Sequence, residues 1–425
     1  MIGSWDEGRA PPLIISDVRQ RRLPRYLGRA PMLFSCDRVP DLRLSLNESL
    51  HMVHREDWNT VARGAGPYLQ YDHLLALEDR MNGGMDFRYV IYYSKGNRPV
   101  GIACFQVVDL EDRGSTYGDK LCRLGKRIGS RMFEDRKVRC LVAGNVFHAG
   151  DHGSYFTDEV PTEQRIATVA DTLQRLERGD PFPTKASAMV VKDIVPPRPL
   201  TAPLDPPKGY HLMRTDVNMV MDLPASWRTF GDYEAAITAK ARTRLKNVMK
   251  RSEALEVRVL DGAAIERHAD RLQLLFDNVL SRSPFVMGRL NVAVYADWKR
   301  QRGDALRFLA YELDGALIGF SSAFLNARTL DAHYVGLDHE HNERHAVYQR
   351  MLVDHLACGI QHKVSNIVFG RTAEQAKSNL GAVPQDMYFL VRHRNHVANK
   401  LIGPLLRSVQ PAVFELRNPF KRALA

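Results

Sequence analysis

The sequence has few cysteines, and it also lacks long apolar runs. Its 425 residues include five cysteines, an odd number, widely spaced and without a Cys-x-x-Cys pair. This is not the disulfide framework of a small secreted domain. The first residues lack the basic-then-apolar layout of a signal peptide, and no run approaches the ~20 apolar residues that cross a bilayer. We therefore expect a protein of the reducing cytoplasm.

Several signatures of known chemistry are also missing. The chain contains no Walker A motif, no Gly-x-Gly-x-x-Gly fingerprint and no Gly-x-Ser-x-Gly elbow. The ATPase, dehydrogenase and α/β-hydrolase classes therefore have no support. His341 and His345 have the i,i+4 spacing of a helical zinc pair, but no His-Glu-x-x-His motif accompanies them. We expect no metal site.

The chain does carry a large excess of basic residues. Its formal net charge is +11 and its pI is about 9.4. An excess of this size favours polyanionic partners, which are RNA, a nucleotide cofactor or an anionic membrane surface. The alternative explanation is a basic proteome or a solubility effect.

Residues 305–394 have the most regular pattern in the chain. Two apolar runs joined by Asp314-Gly315 predict a β-hairpin. A third run at 330–337, a helix over 343–360, a buried strand at 366–370 and a second helix follow. This alternation predicts an α/β unit.

A similar hairpin is predicted at 88–108, so the chain contains a weak internal repeat. Prolines crowd residues 195–209, where neither a strand nor a helix interior tolerates them. We predict an N-terminal arm over 1–42, a first domain over 43–207, a second over 208–396, and a C-terminal helix and tail over 397–425.

The second half contains a strongly basic helix, predicted over 232–253. Lys240, Arg244 and Lys246 lie on it, and no acidic residue stands between Glu234 and Glu253. Such a helix could bind the phosphates of a donor. A solvated helix face is the alternative, although i,i+4 acidic partners are absent.

Candidate site residues follow the strand at 366–370. In an open α/β sheet, ligands bind at the carboxyl ends of strands, which is where Arg371 and Thr372 lie. Lys377, six residues beyond Arg371, could clamp a carboxylate or stabilise an oxyanion. A surface lysine at a helix start is the alternative.

Three further candidates lie on the strand and helix that precede this segment. His333 and Tyr334 are neighbours on a strand, so they point to opposite faces and only one can line a given cleft. Tyr348 faces either the core or the cleft.

These residues together resemble the FemAB-like proteins, which are tandem GNAT-fold acyltransferases related to the peptidoglycan aminoacyl transferases. The resemblance covers roughly residues 44–394 and is strongest after Trp227. It rests on the order and spacing of Trp227, Asp232-Tyr233, Lys240, Arg244, the hairpin at 314–319, Tyr334-Val-Gly-Leu-Asp338, Val347-Tyr348, Gly370-Arg-Thr-Ala-Glu-Gln-Ala-Lys377 and Gly381-Ala. It implies an α/β (α+β) fold of two tandem GNAT-like domains, each a mixed, mostly antiparallel, twisted sheet flanked by helices.

The resemblance also implies an activity. Family members of known activity use aminoacyl-tRNA, and others resemble acyl-CoA-dependent enzymes, so we expect (amino)acyl transfer from such a carrier to an amine on a small molecule or peptide. Lys377 matches a lysine that contributes to catalysis in aminoacyl-transferring members, and Tyr334 resembles a strand tyrosine near the donor. We add Arg371 as a catalytic candidate and His333 as an acceptor contact. Donor candidates are Lys240, Arg244, Lys246, Tyr348 and Thr372.

One departure bears on the donor. A CoA-binding GNAT domain has a glycine-rich turn before its central helix, whereas residues 341–346 contain no glycine. This favours a tRNA-borne donor, or some other phosphorylated carrier, over acetyl-CoA bound in the usual way.

Two other hypotheses stay open. One is an inactive module that binds RNA or another anionic ligand. The other is weak membrane-surface association through the basic helix and residues 397–406. DNA is not an expected partner, and no permanently bound cofactor is expected.

Overall fold

The computed structural model describes residues 33–35, 42–81, 83–112, 137–178, 184–196, 205–283, 285–408 and 413–422. Most of the predicted N-terminal arm and the middle of the proline-rich connector lie outside these residues. The end of the predicted C-terminal tail also lies outside them.

The first half of the chain builds most of one mixed sheet. Its strand order is β1-β2-β3-β4-β5-β7-β17-β8, and all neighbours are antiparallel except the parallel pair β5 and β7. Its strands are β1 Leu33–Ser35, β2 Arg43–Asn47, β3 Asp86–Tyr93, β4 Pro99–Asp112, β5 Lys137–Ala143, β6 Ser154–Phe156, β7 Ala188–Ile194, β8 His211–Arg214 and β17 Tyr388–His393. Its helices are α1 Arg55–Ala62, α2 Tyr71–Met81 and α3 Thr162–Glu177.

The second half builds a second mixed sheet. The order is β10-β12-β13-β14-β15-β9-β16, in which only β14 and β15 are parallel. Its strands are β9 Asn218–Asp222, β10 Glu256–Val259, β12 Leu306–Leu313, β13 Ala316–Asn326, β14 Thr329–Leu337, β15 Asn366–Gly370 and β16 Val383–Gln385, and a short β11 Phe285–Val286 pairs with β4 instead. The prediction of two mixed, mostly antiparallel sheets flanked by helices is confirmed.

The second half also supplies the remaining described α-helices, the last of which packs on β8 and β17 of the first sheet. These helices are α4 Phe230–Ala236, α5 Ala239–Arg251, α6 Gly262–Arg267, α7 Ala269–Ser281, α8 Val294–Arg302, α9 His339–His345, α10 Val347–Gln361, α11 Glu374–Ser378 and α12 His396–Ser408. Both predicted hairpins form, as β3–β4 and as β12–β13.

Some predicted elements are divided in the structure. The basic helix becomes α4 and α5 because the backbone of Ile237 is extended. The Ile237 side chain is buried, and its backbone forms a β-bridge to Phe420. The helix predicted over 343–360 becomes α9 and α10, since Ala346 adopts a left-handed conformation with φ of 49°. The strand expected at 211–221 becomes β8 in the first sheet and β9 in the second.

The two sheets are joined by strand exchange and by a shared core. β17 comes from the end of the chain, yet it lies between β7 and β8 in the first sheet. One apolar cluster contains Trp58 from the first half together with Phe276 and Trp298 from the second. The Trp298 indole also donates a hydrogen bond to the His73 carbonyl at 3.0 Å. The core is therefore continuous between the halves.

We expect Trp298→Ala to lower the free energy of unfolding by about 3–5 kcal/mol, because it empties a fully buried site at this shared core. Urea denaturation followed by circular dichroism should show one transition, since the halves share a core and a sheet. Leu274→Ala on α7, where the leucine is exposed, should change the value by less than about 0.5 kcal/mol. Two separate transitions would contradict the shared core.

Candidate active site at the fork of the second sheet

The parallel strands β14 and β15 form a fork. Residues Thr329 to Asp331 pair with Asn366 to Val368, but β14 continues to Leu337 without that partner. Helix α10 connects the two strands, and the candidate residues lie where they diverge. Since ligands in such sheets bind beyond the carboxyl ends of strands, this fork is the candidate site.

A tight turn follows β15, and Lys377 holds it. Gly370, Thr372 and Ala373 all have positive φ, at 76°, 61° and 52°. The Lys377 ammonium donates to the Gly370 carbonyl at 3.0 Å and to the Arg371 carbonyl at 2.6 Å. Left-handed backbone at non-glycine residues is strained, so these two bonds keep the turn in place.

Lys377 itself is buried, and this changes its acid–base behaviour. Burial lowers the pKa of its ammonium to about 7, although the nearby Glu374 acts in the opposite direction. Charged and neutral forms are therefore both populated near neutral pH. The two carbonyls use two of the three ammonium protons, and no hydrogen bond among the described residues uses the third.

Arg371 reaches from the same turn into the first half. Its guanidinium forms an ion pair with the fully buried carboxylate of Asp193, and it lies over the Phe389 ring at 5.3 Å. Burial lowers the pKa of Arg371 to about 10. The carboxylate of Asp193 also accepts a bond from the Gly150 amide at 2.9 Å and pairs with Lys192. Arg371 thus fixes the Lys377 turn to the first half.

The first sheet has an equivalent fork, which is filled. Its parallel strands pair only from Cys140 to Ala143, and the buried side chain of Lys192 lies just beyond. The Lys192 ammonium donates to the His148 carbonyl at 2.6 Å. A Cβ on Gly144 would lie 2.6 Å from the Lys192 Cγ atom, so the glycine is required for this close approach.

His333 lies between the two halves. Its Nε2 atom bonds the Phe147 carbonyl at 2.6 Å, and its Nδ1 atom bonds the hydroxyl of Tyr295. Because a carbonyl only accepts, Nε2 carries the proton and Nδ1 accepts from Tyr295. Burial lowers the pKa of His333 to about 4. The ring is neutral near pH 7, and both of its nitrogens are already bonded.

His333 belongs to a group of four histidines that sequence reasoning did not find: it and His152 are partly buried, while His73 and His148 are buried. The His333 ring stacks on His148 at 4.4 Å, and His148 Nε2 lies 3.1 Å from His73 Nε2. Burial lowers the pKa of His152 to about 4 and holds the pKa values of His73 and His148 well below 6.5. The described residues contain no cluster of three or more side chains that could hold a metal ion.

The two candidate tyrosines pack against different apolar clusters. The Tyr334 ring meets Phe276 edge-on at 5.1 Å, and burial raises the pKa of its phenol. Tyr348 begins the first turn of α10, where its amide donates to Asn342 Oδ1 at 2.9 Å, and burial raises its phenol pKa too. Both phenols therefore stay protonated near neutral pH.

The basic helix α5 lies beside the Lys377 segment. Arg244 donates to Asn379 Oδ1 at 2.8 Å, which joins α5 to the residues just after Lys377. Lys240 and Lys246 are exposed on the helix, and Thr372 is exposed on the turn. Of the predicted residues, Arg244, Arg371, Thr372 and Lys377 are thus brought together.

An open pocket that sequence reasoning missed lies at the end of α5. Its volume is about 450 Å³, and Lys250, Arg251, Arg344 and His345 line it together with Glu253. Three of these residues are cationic at neutral pH, so the pocket suits an anion. One sequence signal for this pocket was Arg344, a basic residue in the glycine-free segment 341–346.

Comparison with known proteins gives likenesses of structure alone, because no family model and no curated protein matches the chain. A tandem GNAT protein from the clavulanic acid biosynthesis pathway has a TM-score of 0.46 and 12% identity over 83% of this chain and 99% of its own. FemX gives 0.44 and 9% over 83% and 98%. L-PGS from Bacillus licheniformis gives 0.44 and 11% over 83% and 96%. The chain is similar in structure to these three proteins, at low sequence identity.

The histidine group predicts acid sensitivity. In the unfolded chain each histidine has a pKa of about 6.5, whereas burial lowers the folded values, so the unfolded state binds more protons below that pH. Stability is thus complete above about pH 6.5 and falls toward pH 4. His152 and His333 should each contribute up to about 3 kcal/mol of this loss. Urea midpoints measured between pH 7.5 and 4 would check it.

A matched pair of variants identifies the source of this slope. His333→Gln should reduce the dependence of unfolding free energy on pH, since one titrating group is removed. Leu274→Ala, at an exposed leucine of α7, removes no titrating group and should leave this dependence unchanged. Equal slopes in all three proteins would contradict the assignment.

We also expect Asp193→Asn to lower the free energy of unfolding by about 3–5 kcal/mol, because it leaves the buried Lys192 and the partly buried Arg371 without their shared carboxylate. Thermal or urea unfolding at pH 7 measures this. Glu159→Gln removes the partner of the exposed Arg98 and should cost less than about 1 kcal/mol. Similar losses in the two variants would show that Asp193 does not bridge the halves.

Proposed function

We propose that this protein is an acyl- or aminoacyltransferase that moves an (amino)acyl group from a tRNA or CoA-type carrier to an amine acceptor. The reaction takes place at the fork of the second sheet. The observation that carries the proposal is the buried Lys377, which lies just beyond the end of β15. Its ammonium has a pKa of about 7, and one of its protons is used by no hydrogen bond among the described residues. The Asp193–Arg371 ion pair supports it by fixing the turn.

In the proposed reaction, the amine nitrogen attacks the carbonyl carbon of the donor, and the carbonyl oxygen becomes an oxyanion. The third proton of Lys377 is donated in a hydrogen bond to that oxyanion. The intermediate collapses with formation of the amide and release of the carrier oxygen or sulfur. The proton lost by the amine finishes on the leaving group or on water.

The carrier's phosphates are placed on the basic surface of α5. Lys240 and Lys246 are exposed along the helix, Arg244 lies next to the turn, and the open pocket at Lys250 and Arg251 continues the positive surface. A row of cations of this length suits a polyanion. Tyr334 and Tyr348 line the fork as protonated phenols, and Thr372 offers an exposed hydroxyl.

One local feature favours a tRNA-borne donor. Residues 339–345 form helix α9 in the place of a glycine-rich turn. The Asn342 side chain already accepts the Tyr348 amide proton, one of the first amides of α10. These amides would otherwise hold a pyrophosphate.

A second function is a module that binds RNA without chemistry. It is favoured by the bonds that engage Lys377, Arg371 and His333 inside the protein. Stoichiometric tRNA binding with steep salt dependence, but no transfer to any amine tested, would support it.

The transferase proposal is tested with Lys377→Met. Transfer of labelled amino acid from aminoacyl-tRNA, or of labelled acetyl from acetyl-CoA, to a panel of amines should fall at least ~10²-fold, because the oxyanion loses its donor. Circular dichroism and thermal unfolding check that the variant folds.

Lys299→Met is a matched control. Lys299 is also buried and also donates to two backbone carbonyls, Gly303 at 2.9 Å and Leu306 at 2.9 Å, but it lies on α8. The Lys299→Met variant should lose about as much free energy of unfolding as Lys377→Met, but it should retain its transfer activity. Normal turnover in Lys377→Met would overturn the role of Lys377, and equal losses in both variants would show that the effect is on folding.

A further inference from the structure

Helix α12 has one face that no other part of the described chain covers. At 100° per residue, Val397, Leu401 and Pro404 fall within an arc of about 60°. The Val397 side chain is 68% exposed and that of Leu401 is 45% exposed. Lys400 and Arg407 are also exposed and border this arc on one side. We call these five residues the α12 face.

The opposite side of α12 is firmly attached to the first sheet. Ala398, Ile402 and Leu406 are buried there. The Asn399 side chain accepts from the His393 amide at 2.8 Å and donates to the Gly209 carbonyl at 2.9 Å. Since the helix is held on both β8 and β17, the α12 face is presented in a fixed orientation.

The chemistry of this face is apolar with a cationic border. Helix α12 contains no acidic residue, and Arg394 is exposed just before it. Water alone is a poor partner for adjacent exposed valine and leucine side chains. A nucleic acid would contact the cations but would not need the apolar side chains. A surface that offers negative headgroups above an apolar layer fits both parts.

We propose that the α12 face docks on the surface of an anionic lipid bilayer. Val397 and Leu401 insert at the level of the acyl boundary, while Lys400 and Arg407 contact the headgroup phosphates. No helix of the described residues is long and apolar enough to span a membrane, so this is a contact with one leaflet. The proposal is independent of the transferase activity.

Docking in this way also orients the candidate site. Helix α12 packs against β17, and Phe389 of that strand lies under the Arg371 guanidinium. The Lys377 turn would therefore be held at a fixed position relative to the lipid surface.

The test is co-sedimentation of the full chain with vesicles of phosphatidylcholine alone or mixed with phosphatidylglycerol. We expect binding to the anionic vesicles that weakens as salt is added. Lys400→Gln with Arg407→Gln should weaken partitioning about 30-fold, since each cation contributes about five-fold. Val397→Asp with Leu401→Asp should abolish measurable binding. Both pairs lie on the surface, so circular dichroism should be unchanged.

Insertion has a separate readout. Leu401→Trp should show a blue shift of its fluorescence with anionic vesicles, relative to wild type, whereas Leu274→Trp on α7, at a similarly exposed leucine, should not. Absence of wild-type binding, or binding that is unaffected by the Asp pair, would overturn the proposal. So would loss of binding only in Lys246→Gln with Lys250→Gln, because the basic helix α5 would then be the contact.

Discussion

The buried carboxylate of Asp193 is the interaction on which the arrangement of the two halves depends. It lies between two cations, Lys192 of its own strand and Arg371 of the second half. Charges removed from water are tolerated only when they are paired and well hydrogen-bonded, and Asp193 also receives the Gly150 amide. The position of the β15 turn, and hence of Lys377, is therefore determined from the other half of the molecule.

The two forks differ in what occupies the gap between their parallel strands. In the first, the stem of Lys192 occupies the gap, and Gly144 and Gly153 allow the loop to close over it. In the second, the buried lysine is Lys377, which donates to two backbone carbonyls and stabilises a left-handed turn instead of filling the gap. The two forks thus differ: the first is filled by a lysine side chain, and the second carries the candidate residues.

Local patterns predicted the hairpins, the buried strands and the position of the Lys377 turn, because turn chemistry and apolar periodicity act over a few residues. They did not predict the contacts between residues far apart in the chain. Asp193 and Arg371 are separated by 178 positions, and His148 meets His333 across the interface. The break at Ile237 depends on Phe420 from the tail, which no local signal indicates. The predicted strand at 211–221 is likewise divided by contacts with distant residues, because β8 pairs with β17 and β9 pairs with β15 and β16.

The place of β17 in the first sheet has a consequence for biosynthesis. Residues Tyr388–His393 are synthesised after all the other described strands of this sheet, yet β7 and β8 both need them as a hydrogen-bonding neighbour. Until then, the nascent first half has an open, apolar strand edge at β7, which is the kind of edge that recruits other chains. This sheet cannot close until the second half has been synthesised, so a chaperone that shields this edge during synthesis would matter more for this protein than for one whose sheets close in sequence order.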